Sequence, residues 1–237
     1  MATAMLASCA KTPETHARIA VATNFLDTAQ KLEAAFEAET NFTIDLVSGS
    51  TGQLYTQIVN GAPYDAFLSA DAARITRLLM SDHGVDGTRM TYALGRLVLY
   101  GAKDTETTLR EGRFKRLAMA NPKLAPYGMA AEETLNKLQL SGTVSDKIVY
   151  GQNVGQAYGF VQTGNAELGF VALSQMKKGS GNYWIIPERY YGKIWQDSVL
   201  LSFGKNNKSA IAFLSFLKSR HAQSIIKSSG YEVLSDG

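Results

Sequence analysis

From Arg18 onward, short β-type runs alternate with helical patterns, and this alternation limits the chain to α/β architectures more sharply than any other feature. Ile19-Ala20-Val21-Ala22 reads as a buried strand, and Leu26 to Glu39 then carries Leu26, Ala29, Leu32, Ala35 and Phe36 on one helical face. Phe42 to Val47 is the next strand, followed by Ser48-Gly49-Ser50-Thr51-Gly52 and a helix through Leu54, Tyr55 and Ile58. Asp65 to Ser69 is a strand, and the helix after Asp71 groups Ile75, Leu78 and Leu79. Such repetition calls for mostly parallel sheets covered by helices on both faces.

Leu97-Val98-Leu99-Tyr100 is an apolar strand, after which the same grammar begins again. Leu117 to Ala120 reads as a strand, Gly128 to Leu138 as a helix, Lys147 to Tyr150 as a strand, Val154 to Thr163 as a helix and Leu168 to Ala172 as a strand. Val199 to Phe203 reads as a strand returning to the first unit, and Ser209 to Ser219 as a helix with Ile211, Leu214 and Leu217 inward. The expected organisation is two α/β lobes with a cleft between them. Residues 18–100 and 203–237 form lobe one, residues 101–202 form lobe two, and the crossovers fall near Gly101 and near Ser198.

Composition narrows the function. Of 237 residues, 45% are hydrophobic, enough for two proper cores, and 24 basic against 21 acidic residues leave a net charge of only +3. That charge is too small to argue for a nucleic-acid partner, and the basic cluster Arg110, Arg113, Lys115 and Arg116 reads as a solvated face. No run approaches the roughly 18–20 apolar residues of a membrane span. A single cysteine, Cys9, rules out an intrachain disulfide. His16, His83 and His221 stand far apart, so no cationic metal site is expected. Glu132 and Glu133 read as solvent-facing residues in the first turns of a helix, without a partner for acid/base work.

Residues 1–17 differ from the rest. MATAMLASCA followed by KTPETHA has the look of the end of an export signal, lacking its basic start. Leu6-Ala7-Ser8-Cys9 reads two ways, as a lipobox whose cysteine bears the lipid or as an incidental sequence. Either way the segment is excluded from the fold.

In open α/β sheets ligands bind beyond the carboxyl ends of the strands, where loops enter helix N-termini. Four junctions carry hydroxyl, amide and glycine residues at such places: Thr23-Asn24-Phe25, Gly49-Ser50-Thr51-Gly52, Ala125-Pro126-Tyr127-Gly128 and Gln152-Asn153-Val154-Gly155. Each alone is ordinary capping chemistry. Converging, they would hold an anion through unpaired N–H groups and helix dipoles, with no lysine or arginine. Gly49 to Gly52 lacks the spacing of a Walker loop.

Taken together, these junctions resemble the periplasmic molybdate-binding proteins, the receptors of ABC molybdate importers. The resemblance lies in Ile19 to Phe25, Gly49 to Ile58, Gly61-Ala62-Pro63-Tyr64-Asp65-Ala66-Phe67-Leu68-Ser69-Ala70-Asp71, Asn121-Pro122 through Pro126-Tyr127-Gly128, Asn153-Val154 and Gly164 to Val171. It runs from Arg18 to Tyr231. It implies a type II periplasmic binding protein fold, no catalysis and no cofactor. The ligand it implies is molybdate or tungstate, held by hydroxyl and backbone N–H donors, and the partner a cognate ABC permease. A monomer in the periplasm or another extracytoplasmic space is expected, with Cys9 as its lipid anchor if the lipobox is real. The implied ligand residues are Thr23, Asn24, Ser50 or Thr51, Tyr127, and Val154 through its N–H.

Three positions depart from the family pattern. Asn24 replaces a serine, Tyr127 an alanine, and Ala172 a tyrosine that donates its hydroxyl to the anion. Either Tyr127 supplies that hydroxyl from the opposite wall or the site has lost a donor. The alternatives are a receptor for another oxyanion or small organic anion, and an enzyme or sensor domain on the same fold.

Overall fold

The computed structural model describes residues 15–176 and 181–234. Cys9 and the lipobox lie outside them. The chain runs β1 (His16–Ala22), α1 (Leu26–Glu39), β2 (Thr43–Gly49), α2 (Thr51–Val59), β3 (Ala66–Ser69), α3 (Ala72–Met80) and β4 (Met90–Gly95). It then crosses to β5 (Leu97–Gly101), α4 (Thr105–Arg110), β6 (Leu117–Ala120), α5 (Pro126–Lys137), α6 (Ser141–Val144), β7 (Ile148–Gly151), α7 (Val154–Gln162), β8 (Leu168–Ala172) and β9 (Asn182–Ile185). It returns through β10 (Ile194–Leu200) to α8 (Lys208–Phe216) and α9 (Arg220–Ser228).

These strands form two five-stranded sheets, ordered β2-β1-β3-β10-β4 and β7-β6-β8-β5-β9. The two orders are the same pattern. In each sheet one strand, β10 or β5, runs antiparallel to its neighbours, and that strand has just arrived from the other lobe. The other neighbouring pairs are parallel.

Both faces of the first sheet are covered. Ile19 and Val21 of β1 pack with Leu32, Phe36 and Phe213 from α1 and α8. Ala20, pointing the other way, packs with Leu54, Ile75 and Leu78 from α2 and α3. The second lobe has its own core around Leu97, Leu99, Leu117, Met119, Leu135 and Phe170. The helix starts are set locally. Ser50, Asp71 and Asn153 cap α2, α3 and α7 by accepting from Gln53, Ala73 and Gln156 N–H, and Pro126 opens α5.

Several expectations shift. β5 pairs only with β8 and β9, so Leu97–Tyr100 belongs to the second sheet rather than the first lobe. The return strand begins at Ile194 rather than Val199 and lies in the first sheet between β3 and β4. The crossovers therefore fall at Gly95–Leu97 and just before Ile194, not near Gly101 and Ser198. The reason is that β10 carries Gln196, Asp197 and Ser198, polar residues that read as loop, yet all three are fully buried. β4, β9 and α9 are further elements the alternation did not announce. Ile211 faces solvent at 45% exposure, whereas Ala210, Phe213, Leu214 and Leu217 carry the buried stripe of α8 and its C-cap. One residue past Ala210 is a turn of about 100° around a helix, which takes Ile211 off that stripe. Glu132 is exposed as expected, but Glu133 accepts the Gly192 N–H at 2.7 Å and so tethers the returning crossover.

A candidate anion site between the lobes

The six residues singled out from sequence sit at the carboxyl ends of β1, β2, β6 and β7, on turns that enter helices. Thr23 and Asn24 form a 3-10 turn after β1. Ser50 and Thr51 open α2, Tyr127 is the second residue of α5 and Val154 the first of α7. Two junctions belong to the first lobe and two to the second, and the lobes are in contact there. Gly52 N–H donates to Leu124 O at 2.9 Å, Gln53 Nε2 to Gln152 Oε1 at 3.1 Å, and Arg74 to Lys123 O at 3.2 Å. A Cβ on Gly155 would lie 2.7 Å from the Thr23 methyl, so these two junctions touch.

Tyr127 is the residue that stands out. It is buried, and its hydroxyl, like that of Tyr92, makes no hydrogen bond of ordinary length and angle, although the Asn24 amide and the Tyr231 hydroxyl stand beside it. Burial pushes its phenol well above the ordinary range, so the oxygen keeps its proton and remains a donor. The hydroxyl reaches the crossover: a Cβ on Gly95 would lie 2.2 Å from it and 3.1 Å from Gln196 Nε2. Only glycine at position 95 leaves room for it.

Asn24 is differently placed from the sequence expectation. Its amide nitrogen donates to Gln196 Oε1 at 2.8 Å and to the Tyr231 hydroxyl at 3.0 Å, which uses both amide hydrogens. What Asn24 retains for a ligand is its backbone N–H. Thr23 Oγ1 meets Ser48 Oγ at 3.2 Å.

The Ser50-Thr51 pair also separates. Ser50 Oγ accepts from Gln53 N–H at 3.3 Å and donates to Gln53 Oε1 at 2.9 Å, so its proton is committed to the capping box. Thr51 Oγ1 accepts from Ala70 N–H at 3.3 Å, and its own proton has no acceptor among the described residues. Val154, as the first residue of a helix, has an N–H beyond the reach of the intrahelical ladder. Ala172 ends β8 fully buried, with its N–H donating to Gln175 Oε1 at 3.0 Å.

The donors are therefore hydroxyls and N–H groups at helix starts, without a histidine, cysteine or carboxylate among them. Such a set can neutralise an oxyanion by hydrogen bonds and dipoles but has no acid/base pair or nucleophile for turnover. Hydrogen bonds from Gly52 to Leu124 and from Gln53 to Gln152 hold the two walls of this seam together. A cavity of about 340 Å³ beside it, lined by Gly95, Arg96, Glu188, Tyr191 and Lys193 among others, includes none of the six residues. The candidate site is the seam, where junctions of both lobes meet and the Tyr127 hydroxyl is buried. Gln196, Tyr231, Ser174 and Gln53 were not foreseen as parts of it. For Gln53 a signal existed, the Ser-x-x-Gln spacing of a capping box. For the others there was none short of the fold.

Comparison with known proteins bears on the family and the fold. A family profile described as bacterial extracellular solute-binding protein matches residues 17–232. The molybdate-binding protein ModA of Azotobacter vinelandii is 42% identical over 236 residues, covering 96% of this chain and 93% of that protein. That of Rhodobacter capsulatus is 42% identical over 217 residues, covering 90% and 86%. The solved structure of the A. vinelandii periplasmic molybdate-binding protein matches with a TM-score of 0.88 and 36% identity, covering 93% of this chain and all (100%) of that one. A profile spanning nearly the whole chain, two relatives at this identity and one shared two-lobed fold lead to one conclusion: the chain belongs to the bacterial extracellular solute-binding proteins, in the family of periplasmic molybdate-binding proteins.

Proposed function

We propose that this protein is the extracytoplasmic receptor of an ABC importer and captures molybdate or tungstate at the seam between its lobes. Thr51 and Tyr127 donate their hydroxyls, Val154 and Asn24 their backbone N–H groups, and Thr23 closes the rim against Gly155. Ser50 serves chiefly as the cap that aims α2 at the anion. The observation that carries the reading is the buried, unpartnered Tyr127 hydroxyl. An empty, closed site leaves that donor unpaired at a cost of about 1–3 kcal/mol, and an anion oxygen pairs it. Tyr127 lies on the lobe opposite Asn24 and on the same lobe as Ala172, so a hydroxyl that replaces the donor missing at Ala172 comes from the same wall and not from the opposite one.

Fixed neutral donors sort tetrahedral dianions by size. Molybdate and tungstate are nearly equal, while sulfate is smaller and leaves hydrogen bonds stretched. Calorimetric titration of ligand-free protein should give molybdate and tungstate affinities within about tenfold of each other, a gap of roughly 1.4 kcal/mol. Sulfate, phosphate and chromate run alongside, and sulfate should be weaker by several kcal/mol, because buried donors would go unpaired. Equal binding of sulfate and molybdate would point to the alternative reading, a receptor for a different oxyanion.

A further inference from the structure

The Asn24 turn is held by more than a ligand contact requires. Tyr231 lies beyond α9, 207 residues along the chain from Asn24, and is buried. Its ring packs edge-on against Phe25, with centroids 5.2 Å apart. Its hydroxyl accepts from Asn24 Nδ2 at 3.0 Å and lies 2.7 Å from the Asn24 carbonyl oxygen and 3.0 Å from Ser174 Oγ. Ser174 Oγ in turn donates to the same Asn24 carbonyl at 2.9 Å. Asn24 and Tyr231 belong to the first lobe, whereas Ser174 sits in the turn after β8, in the second. The node therefore spans the cleft.

We infer that Tyr231 is a positioning residue for anion retention, its hydroxyl locking the Asn24 turn to Ser174 only when the cleft is closed and so slowing release of the bound oxyanion. The inference rests on the reading of the site given above. In an open cleft Asn24 and Ser174 separate and water serves both, so the encounter with ligand is little affected. In the closed cleft two hydroxyl protons serve three oxygen–oxygen contacts, so deleting one hydroxyl disturbs the whole node. It also strips an acceptor from a buried Asn24 N–H. Contacts present only in the closed state favour that state, and a ligand that binds it leaves more slowly. Burial raises the Tyr231 phenol far above neutral pH, so the lock does not titrate.

The test uses stopped-flow fluorescence with molybdate as the probe, on the parent protein, Tyr231→Phe, Ser174→Ala and the double variant. Tyr231→Phe keeps the ring against Phe25, and Ser174→Ala trims a half-buried turn residue. Both single variants should release molybdate about tenfold faster on rapid dilution, with association within about twofold of the parent. The double variant should release no more than about threefold faster than either single, because the two residues act as one node. Parental release from Tyr231→Phe, multiplicative effects in the double variant, or association slowed as much as release is quickened would each overturn the inference. Melting of the ligand-free variants separates a merely structural role, which would lower stability and leave the release rate alone. A parent that binds no molybdate overturns the proposed function and this inference with it. A parent that binds, with variants that release at its rate, overturns the inference alone.

Discussion

A buried hydroxyl without a partner destabilises an empty closed cleft and stabilises a filled one, and Tyr127 concentrates that effect in one atom. Tyr127→Phe removes a hydrogen bond to a charged ligand, a contribution of about 1.5–3 kcal/mol. Molybdate affinity should fall roughly tenfold to a hundredfold or somewhat more by calorimetry, while the melting temperature of ligand-free protein stays level or rises. Parental affinity would show that the hydroxyl faces no anion. Gly95→Ala tests the same atom from the other side. Its Cβ would stand 2.2 Å from the hydroxyl and 3.1 Å from the ring carbon that bears it, so the tyrosine must move. Affinity should drop by a similar factor, and combining the change with Tyr127→Phe should cost less than the product of the two. At this scale the sequence was informative where chemistry is local, because capping residues are recognised by their spacing along the chain. It was silent on the partners of Asn24, since Gln196 and Tyr231 lie 172 and 207 residues away.

The elements were legible in proportion to how simply their burial follows their hydrophobicity. β6, β8 and the Ile19–Ala22 part of β1 are short apolar runs buried throughout, and the alternation placed each of them. β10 reads too short because its buried centre is polar, and most of those polar groups are satisfied by residues remote in sequence. Asp197 accepts from Arg89 Nε at 2.8 Å and from the Thr91 hydroxyl at 2.7 Å, and the aspartate is fully buried. Asp197→Ala would leave the Arg89 charge without its partner at a strand junction, although Arg89 keeps 38% of its side chain in solvent. A loss of up to about 3 kcal/mol in urea unfolding is expected, below the 3–5 kcal/mol of a wholly buried pair. No change would mean that solvent replaces the pair. The start of α2 offers a second test, which separates two neighbouring hydroxyls. Ser50→Ala removes a cap and should lower stability by about 0.5–2 kcal/mol. Thr51→Val removes the hydroxyl whose proton is uncommitted and should lower molybdate affinity more than Ser50→Ala does. The reverse order in titration would assign the ligand role to Ser50.

At the scale of the molecule, the two lobes repeat one strand order, and each receives its antiparallel strand from the other. The sequence showed two rounds of α/β grammar but not this exchange. Strand order is decided by pairings between segments far apart in the chain, and an apolar run such as Leu97–Tyr100 satisfies either sheet equally well until β8 and β9 are in place beside it. The consequence is mechanical. The links at Gly95–Leu97 and across residues 186–193 connect the sheets, so a relative rotation of the lobes needs backbone change at those two places. Against that freedom stand hydrogen bonds across the cleft, from Gly52 to Leu124, Arg74 to Lys123 and Gln53 to Gln152, together with those that tie Ser174 to Asn24 and Tyr231. Each contributes on the order of 1 kcal/mol, and the unpaired Tyr127 hydroxyl opposes them with about 1–3 kcal/mol. An anion that pairs the buried donors removes that opposing cost and favours closure. Solution scattering should therefore record a smaller radius of gyration with molybdate than without. Arg74→Ala, which removes one bond across the cleft, should enlarge the ligand-free radius or leave it at the open value, with little change in the molybdate-bound radius. A radius that ignores molybdate in the parent would mean that the lobes do not move on binding, and the hinge assigned to the two links would be wrong.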